Sequence, residues 1–307
     1  MNIRKSLLLF AIAFMISATA QAWDAGGHML LDEIAWTQMK PAARSAASDL
    51  VRALDPSFND NRPYNFITSG AWLDDMRGLG KEYHWAKLHY IDIPWTPTGI
   101  EMKFPPAPHV LSGMDDSLKT LRDPATPPAR RTEALGMLIH YVGDIHQPLH
   151  VTERNLDRGG NSYLIAGVPF SDLTQRQASN LHTFWDKAFR FDGLDGRIVE
   201  TWIAPHIGER PAAPGEGIIA EEAKKIMAEF PREKLPELAT AGDATAWAQQ
   251  THTMGCLHAY PPGDPPPNTE VRALEPGFVH ESHALANRQL ALAGYRLADL
   301  LNSLFAP

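Results

Sequence analysis

The chain holds one cysteine in 307 residues, Cys256, which excludes an internal disulfide and a thiolate metal cluster alike. Any metal must therefore sit on nitrogen and oxygen donors. Cations are in the minority, with 28 Lys and Arg against 36 Asp and Glu and a formal net charge of −8. A protein that grips nucleic acid along a Lys/Arg tract draws its affinity from neutralised phosphates, and this composition excludes that mode. Internal repeats, low-complexity tracts and His-rich runs are missing too, so a solenoid or a His-rich metal store is not expected.

What is there begins with a processing segment. Arg4 and Lys5 precede the apolar run LLLFAIAFMI, and Ala20-Gln21-Ala22 follows as a small-x-small cleavage site. The run is short of the roughly 20 apolar residues a membrane span requires. Residues 1–22 are thus read as a signal peptide cleaved before Trp23, with the mature protein exported to the periplasm or secreted. Its loss removes two cations and no acid, leaving the mature chain more acidic still.

Residues 23–307 read as one mostly α domain, a helical bundle with a short β-hairpin and long loops. Apolar residues at three- and four-residue spacing predict helices over 28–39, 41–54, 127–147, 174–190 and 281–304. Pro41 suits a first helical turn, and Pro148 should end the third helix. Asp157-Arg158-Gly159-Gly160 predicts a turn opening a hairpin over 157–170. Proline gathers in loops at 94–108 and 261–267.

The segment MLIHYVGDIHQPLH, residues 137–150, puts three histidines and an aspartate into what otherwise reads as a core helix. An unpaired buried polar group costs roughly 2–7 kcal/mol by transfer estimates, so a partner is required. His140 and Asp144 lie one helical turn apart, on one face. They could hold one ion together, or simply hydrogen-bond to each other. The same spacing recurs at His182 and Asp186, which favours the ion. His150, beyond the proline, can turn toward a second ion, and His89 in an extended LHYID segment and Asp74 in AWLDDMRG add further donors. Cleavage before Trp23 would free an α-amine that could chelate metal together with its own carbonyl, with His28 beside it; a frayed terminus is the alternative.

These residues resemble the S1/P1-type zinc-dependent nucleases, here a bacterial member, a family related to the zinc-dependent phospholipases C. The resemblance rests on Trp23-x4-His28, Trp72-x-Asp74-x-x-Arg77, His89-Tyr90-Ile91-Asp92, His140-x3-Asp144-x5-His150 enclosing Gln147-Pro148-Leu149, Gly159-Gly160-Asn161 and His182-x3-Asp186, in the family's order across 23–307. It implies three Zn²⁺: one on Asp74, His89, His140 and Asp144, a second on His150, His182 and Asp186, and a third on the Trp23 amine and carbonyl, His28 and bridging Asp144. It also implies that Asp74 orients or deprotonates the attacking water, that Arg77 stabilises charge on the phosphate, and that Tyr90 and Asp92 contact substrate.

The expected activity is endonucleolytic hydrolysis of single-stranded DNA and RNA to 5′-phosphate products, with dephosphorylation of 3′-mononucleotides. Three ions at the site would let an acidic chain bind phosphate locally, and stacking on Tyr90 would favour unpaired bases. A monomer without stable membrane association is expected. A zinc-dependent phospholipase C is the nearest alternative, disfavoured because residue 186 is Asp where those relatives usually carry Glu. A non-catalytic periplasmic zinc-binding protein is the other, disfavoured because storage needs no arginine beside the metals.

Overall fold

The computed structural model describes residues 23–57, 59, 61–78, 85–95, 104–169, 177–190, 211–239, 242–263 and 270–306, without the side chains of 77, 78, 167–169, 177, 178 and 190. The expected signal segment 1–22 and parts of both proline-rich loops lie outside these residues. The architecture is mostly α, as the periodicity implies. Its helices are α1 (Ala25–Gln38), α2 (Pro41–Val51), α3 (Phe66–Ser69), α4 (Trp72–Gly78), α5 (Val110–Arg122), α6 (Pro128–Asp144), α7 (Leu181–Trp185), α8 (Gly217–Glu229), α9 (Ala244–His258) and α10 (Pro276–Phe305).

The helix ends follow local chemistry. Pro41, Pro128 and Pro276 occupy first-turn positions, where a missing N–H costs nothing. Asp24 caps α1 by accepting from the Gly26 and Gly27 amides. Helix α6 stops at Asp144, before Pro148 can interrupt it, and a 3-10 turn over Pro148–His150 follows.

Helices α1 and α6 form the centre. Every residue from Gly26 to Ala35 in α1 and from Leu138 to Asp144 in α6 is buried, so neither has a solvent face along those stretches. Helix α10 packs tightly on α1 through Gly294, where a Cβ would lie 2.6 Å from Ile34 Cβ. Behind α6, the Arg296 guanidinium of α10 donates to His146 Nε2 at 2.8 Å and stacks on Trp247 of α9, while His146 Nδ1 donates to the Val142 carbonyl. Burial and Arg296 hold the His146 pKa well below its ordinary value, so this histidine is a neutral structural tie.

Two small sheets depart from the expected pattern. Strand β1 (Ile93–Trp95) runs parallel to β2 (Thr152–Arg154), in register Ile93↔Thr152 and Trp95↔Arg154. His89 ends a 3-10 turn over Ala86–His89, not an extended segment. Strand β3 (Leu164–Pro169) pairs antiparallel with β4 (Gln177–Asn180), so the hairpin extends past 157–170. The helix expected over 174–190 is corrected accordingly. Residues 174–176 lie outside the described ones, 177–180 pair with β3, Asn180 caps α7 by accepting from the Thr183 amide at 2.8 Å, and helical turns then run only over 181–185 and 188–190. Long-range pairing overrides the local helical pattern here.

Substituting Gly294→Ala should lower unfolding stability by about 1–3 kcal/mol through overpacking against Ile34. A shifted denaturant midpoint with unchanged slope checks this.

Candidate metal centre

Six elements of the chain deliver donors to one buried place. Helix α1 brings His28, α4 brings Asp74, the 3-10 turn before β1 brings His89, α6 brings His140 and Asp144, and the turn after it brings His150. Helix α7 and its C-terminal cap bring His182 and Asp186. All eight fall into three donor groups whose ligand atoms lie within 4.8 Å of one another: His28, His140 and Asp144; Asp74, His89 and His140; and His150, His182 and Asp186. The structure brings together every side-chain donor named from the sequence.

The distances show why the first two groups are one centre. His89 Nδ1 and His140 Nε2 lie 3.2 and 3.4 Å from Asp144 Oδ2, while His28 Nε2 lies 3.5 Å from Asp144 Oδ1. Asp144 therefore faces two groups with its two oxygens. Asp74 Oδ1 stands about equally far from His140 Nε2, 3.9 Å, and His89 Nδ1, 4.0 Å. The His28 and His140 rings stack with centroids 4.0 Å apart. On the other side, the His150 and His182 rings are 5.0 Å apart, and His182 Nε2 is 3.7 Å from Asp186 Oδ1.

Surrounding groups fix the orientation of three of these rings. His140 Nδ1 donates to the Gly70 carbonyl at 2.7 Å, His150 Nδ1 to His89 O at 2.7 Å, and His182 Nδ1 to Gly159 O at 2.6 Å. Each bond places the ring proton outward and leaves the Nε2 lone pair facing the centre, the arrangement typical of ligating histidines. Gln147 donates to Asp186 Oδ1 at 2.6 Å. The β1–β2 pairing continues through Ile91 N–H to His150 O at 2.8 Å, which holds the His89 and His150 segments side by side.

The donor set fits a divalent metal. It is nitrogen and oxygen only, and neither ring nitrogen of buried His28 has a hydrogen-bond partner among the described residues. Burial, then His140 and His150, push the His28 pKa well below its ordinary value, leaving it neutral. Burial raises Asp186 well above the carboxylate range, with Gln147 opposing. A cation would reverse that penalty and use the orphaned nitrogens. Among N/O sites of this make-up, zinc is well suited.

Trp23 is fully buried and not frayed. Its indole donates to the Gly143 carbonyl at 3.1 Å, next to Asp144, and the Asp24 amide donates to Asp186 O at 3.1 Å. The residue-23 backbone thus lies beside the donors. Asp92 is half-buried near Gly159, with its pKa raised to about 7 by burial, then by Glu153 and Asp157. Tyr90 is half-buried. Arg77 lies on α4 one turn after Asp74, but its side chain is outside the described residues.

Sequence reasoning missed Leu156. It sits at φ +62, within a turn that also holds Asn155 and Arg158 at positive φ, and its side chain is 79% exposed. The turn is pinned: Asp157 Oδ1 accepts from the Arg154 amide and from Tyr260 Oη, and Gly159 anchors His182. A left-handed leucine costs about 1–2 kcal/mol, and an exposed side chain returns nothing within the protein. Only the turn residues around it were a signal in the sequence.

Among the described residues no helix is long and apolar enough to cross a membrane. The chain is 22% identical over 295 residues to Nuclease P1 of Penicillium citrinum, spanning 92% of this chain and 97% of that protein. It is 26% identical over 302 residues to Endonuclease 2 of Arabidopsis thaliana, spanning 92% and 90%, and 26% identical over 174 residues to Nuclease S1 of Aspergillus oryzae, spanning 55% and 53%. The family described as S1/P1 Nuclease matches residues 23–306, a span that contains every donor of the buried centre, and the chain belongs to that nuclease family.

Proposed function

We propose that this protein is a trinuclear zinc endonuclease that hydrolyses single-stranded DNA and RNA to 5′-phosphate products and removes phosphate from 3′-mononucleotides. The observation that carries this reading is the three His/Asp groups, all but Asp74 buried, two of them joined through His140 and Asp144, and all built without sulfur. Membership of the S1/P1 nuclease family supports nuclease activity.

Asp74, His89, His140 and Asp144 would hold one zinc, His150, His182 and Asp186 a second, and His28 and Asp144 a third together with the amine and carbonyl of Trp23. The third set requires cleavage before Trp23, and so an exported, processed chain. When bound, the ions supply positive charge for the phosphate and make a water acidic enough to attack near neutral pH. Asp74, at the open side of its group and slightly exposed, orients that water and accepts its proton. Arg77, three residues on along α4, would stabilise negative charge on the phosphate.

Substrate selection falls to the half-buried Tyr90 and Asp92 and to the turn carrying Leu156. Tyr90 offers a ring on which an unpaired base can stack, and Leu156 offers apolar contact from a rigid turn. Base–aromatic stacking is worth about 1–3 kcal/mol per base, which a paired base cannot supply without unstacking. The reading is of a monomer acting on strands in solution.

Elemental analysis of the mature protein should find about three zincs per chain, and chelation should abolish cleavage of single-stranded DNA. Full zinc with no nucleic-acid cleavage would overturn the nuclease reading.

Gln147→Leu removes the donor to Asp186, so metal retention against a chelator should weaken about 10–100-fold; unchanged retention would separate Gln147 from the centre. Leu156→Gly should leave unfolding stability within about 1 kcal/mol, because glycine accepts positive φ. The same variant and Tyr90→Ala should lose preference for single strands while keeping 3′-mononucleotide turnover. Unchanged preference in both would remove the stacking role.

A further inference from the structure

Asp32 lies in α1 one helical turn beyond His28, is completely buried, and has no hydrogen-bond partner for either carboxylate oxygen among the described residues. It belongs to none of the three donor groups. A carboxyl left in that condition destabilises the core, where alanine would not, and such an uncompensated group invites a functional reading.

What it touches is Gly70. A Cβ at Gly70 would lie 2.2 Å from Asp32 Oδ2, 3.0 Å from Asp32 Cγ and 3.2 Å from His28 Cβ. The carboxyl is therefore pressed against the Gly70 backbone, and only glycine admits that approach. The Gly70 amide favours the Asp32 carboxylate against the cost of burial, although it does not reach full hydrogen-bond geometry. The other end of the same residue, the Gly70 carbonyl, takes the Nδ1 proton of His140 at 2.7 Å.

Two histidines thus depend on one contact. His28 is fixed to α1, which carries Asp32, and His140 is fixed to Gly70, against which Asp32 rests. Their rings stack at 4.0 Å with 15° between planes. We propose that Asp32 is a positioning residue, bracing the Gly70 backbone against α1 so that His28 and His140 keep the spacing at which each reaches its own ion on either side of Asp144. The inference rests on the metal-holding reading of those two histidines. Asp32 touches neither metal nor substrate and acts through Gly70.

The test compares mature, zinc-loaded Asp32→Asn and Asp32→Ala with the parent protein. Zinc retention is measured against increasing chelator, and melting is measured before and after stripping. Asparagine keeps the shape and an oxygen toward the Gly70 amide, so Asp32→Asn should retain zinc within about 3-fold of the parent, whereas Asp32→Ala should release it about 10–100-fold more readily. Stripped Asp32→Ala should melt no lower than the stripped parent, since a buried orphan carboxyl has been removed. A merely structural residue would instead lower both melting temperatures together. Parent-like zinc retention in Asp32→Ala, equal loss in both variants, or loss that tracks a lower melting point of the stripped protein would overturn the proposal. A parent protein that binds no zinc would overturn the metal reading itself, and the proposal with it.

Discussion

Burial of ionisable groups at the point where α1 and α6 meet is the constraint on which the rest of this structure depends. His28, His140, Asp144, His150, His182 and Asp186 are all buried, and each alone would destabilise an apolar core. The surrounding structure is arranged to hold them regardless. Carbonyls of Gly70, His89 and Gly159 take ring protons, Gln147 takes one oxygen of Asp186, and Trp23 closes the same region by donating to the Gly143 carbonyl. Such an arrangement makes sense if a cation completes it, because charge at the centre turns the desolvated donors from a cost into ligands.

The rigidity of the frame follows from the same need. Ligating groups are useful only when held to a fraction of an ångström, and α1, α6 and α10 pack with little room to move. Glycines at the tightest points, Gly294 against Ile34 and Gly70 against Asp32, let backbones approach more closely than any side chain permits. The Arg296–His146–Trp247 tie anchors the end of α6 two residues past Asp144. Stability and site geometry are thus carried by the same contacts.

Much of this was legible in the sequence, and the reason is chemical. The repeated His-x3-Asp spacing favoured a shared ion over a hydrogen bond within each pair, and the full set of eight side-chain donors was named through the resemblance to the S1/P1-type nucleases before their meeting point was seen. The central helices were legible because their apolar periodicity is strong. The segment at 177–180 was not, since its strand character comes from pairing with residues 164–169 and leaves no local trace. Nor was the left-handed Leu156, whose backbone is dictated by Asp157 reaching Arg154 and, across about a hundred residues, Tyr260. Gln147 stood in the sequence only as part of the Gln147-Pro148-Leu149 motif and Gly70 carried no signal there, so their contacts with Asp186, His140 and Asp32 appear only once the partners are in place.

The central claim is that these three His/Asp groups are zinc sites. An anomalous-scattering map at the zinc absorption edge, from crystals of the mature protein grown with zinc and without chelator, tests it most directly. The account predicts three peaks, one within each donor group, with Asp144 between two of them. A map without peaks at the centre, or with zinc only on surface histidines, would contradict it.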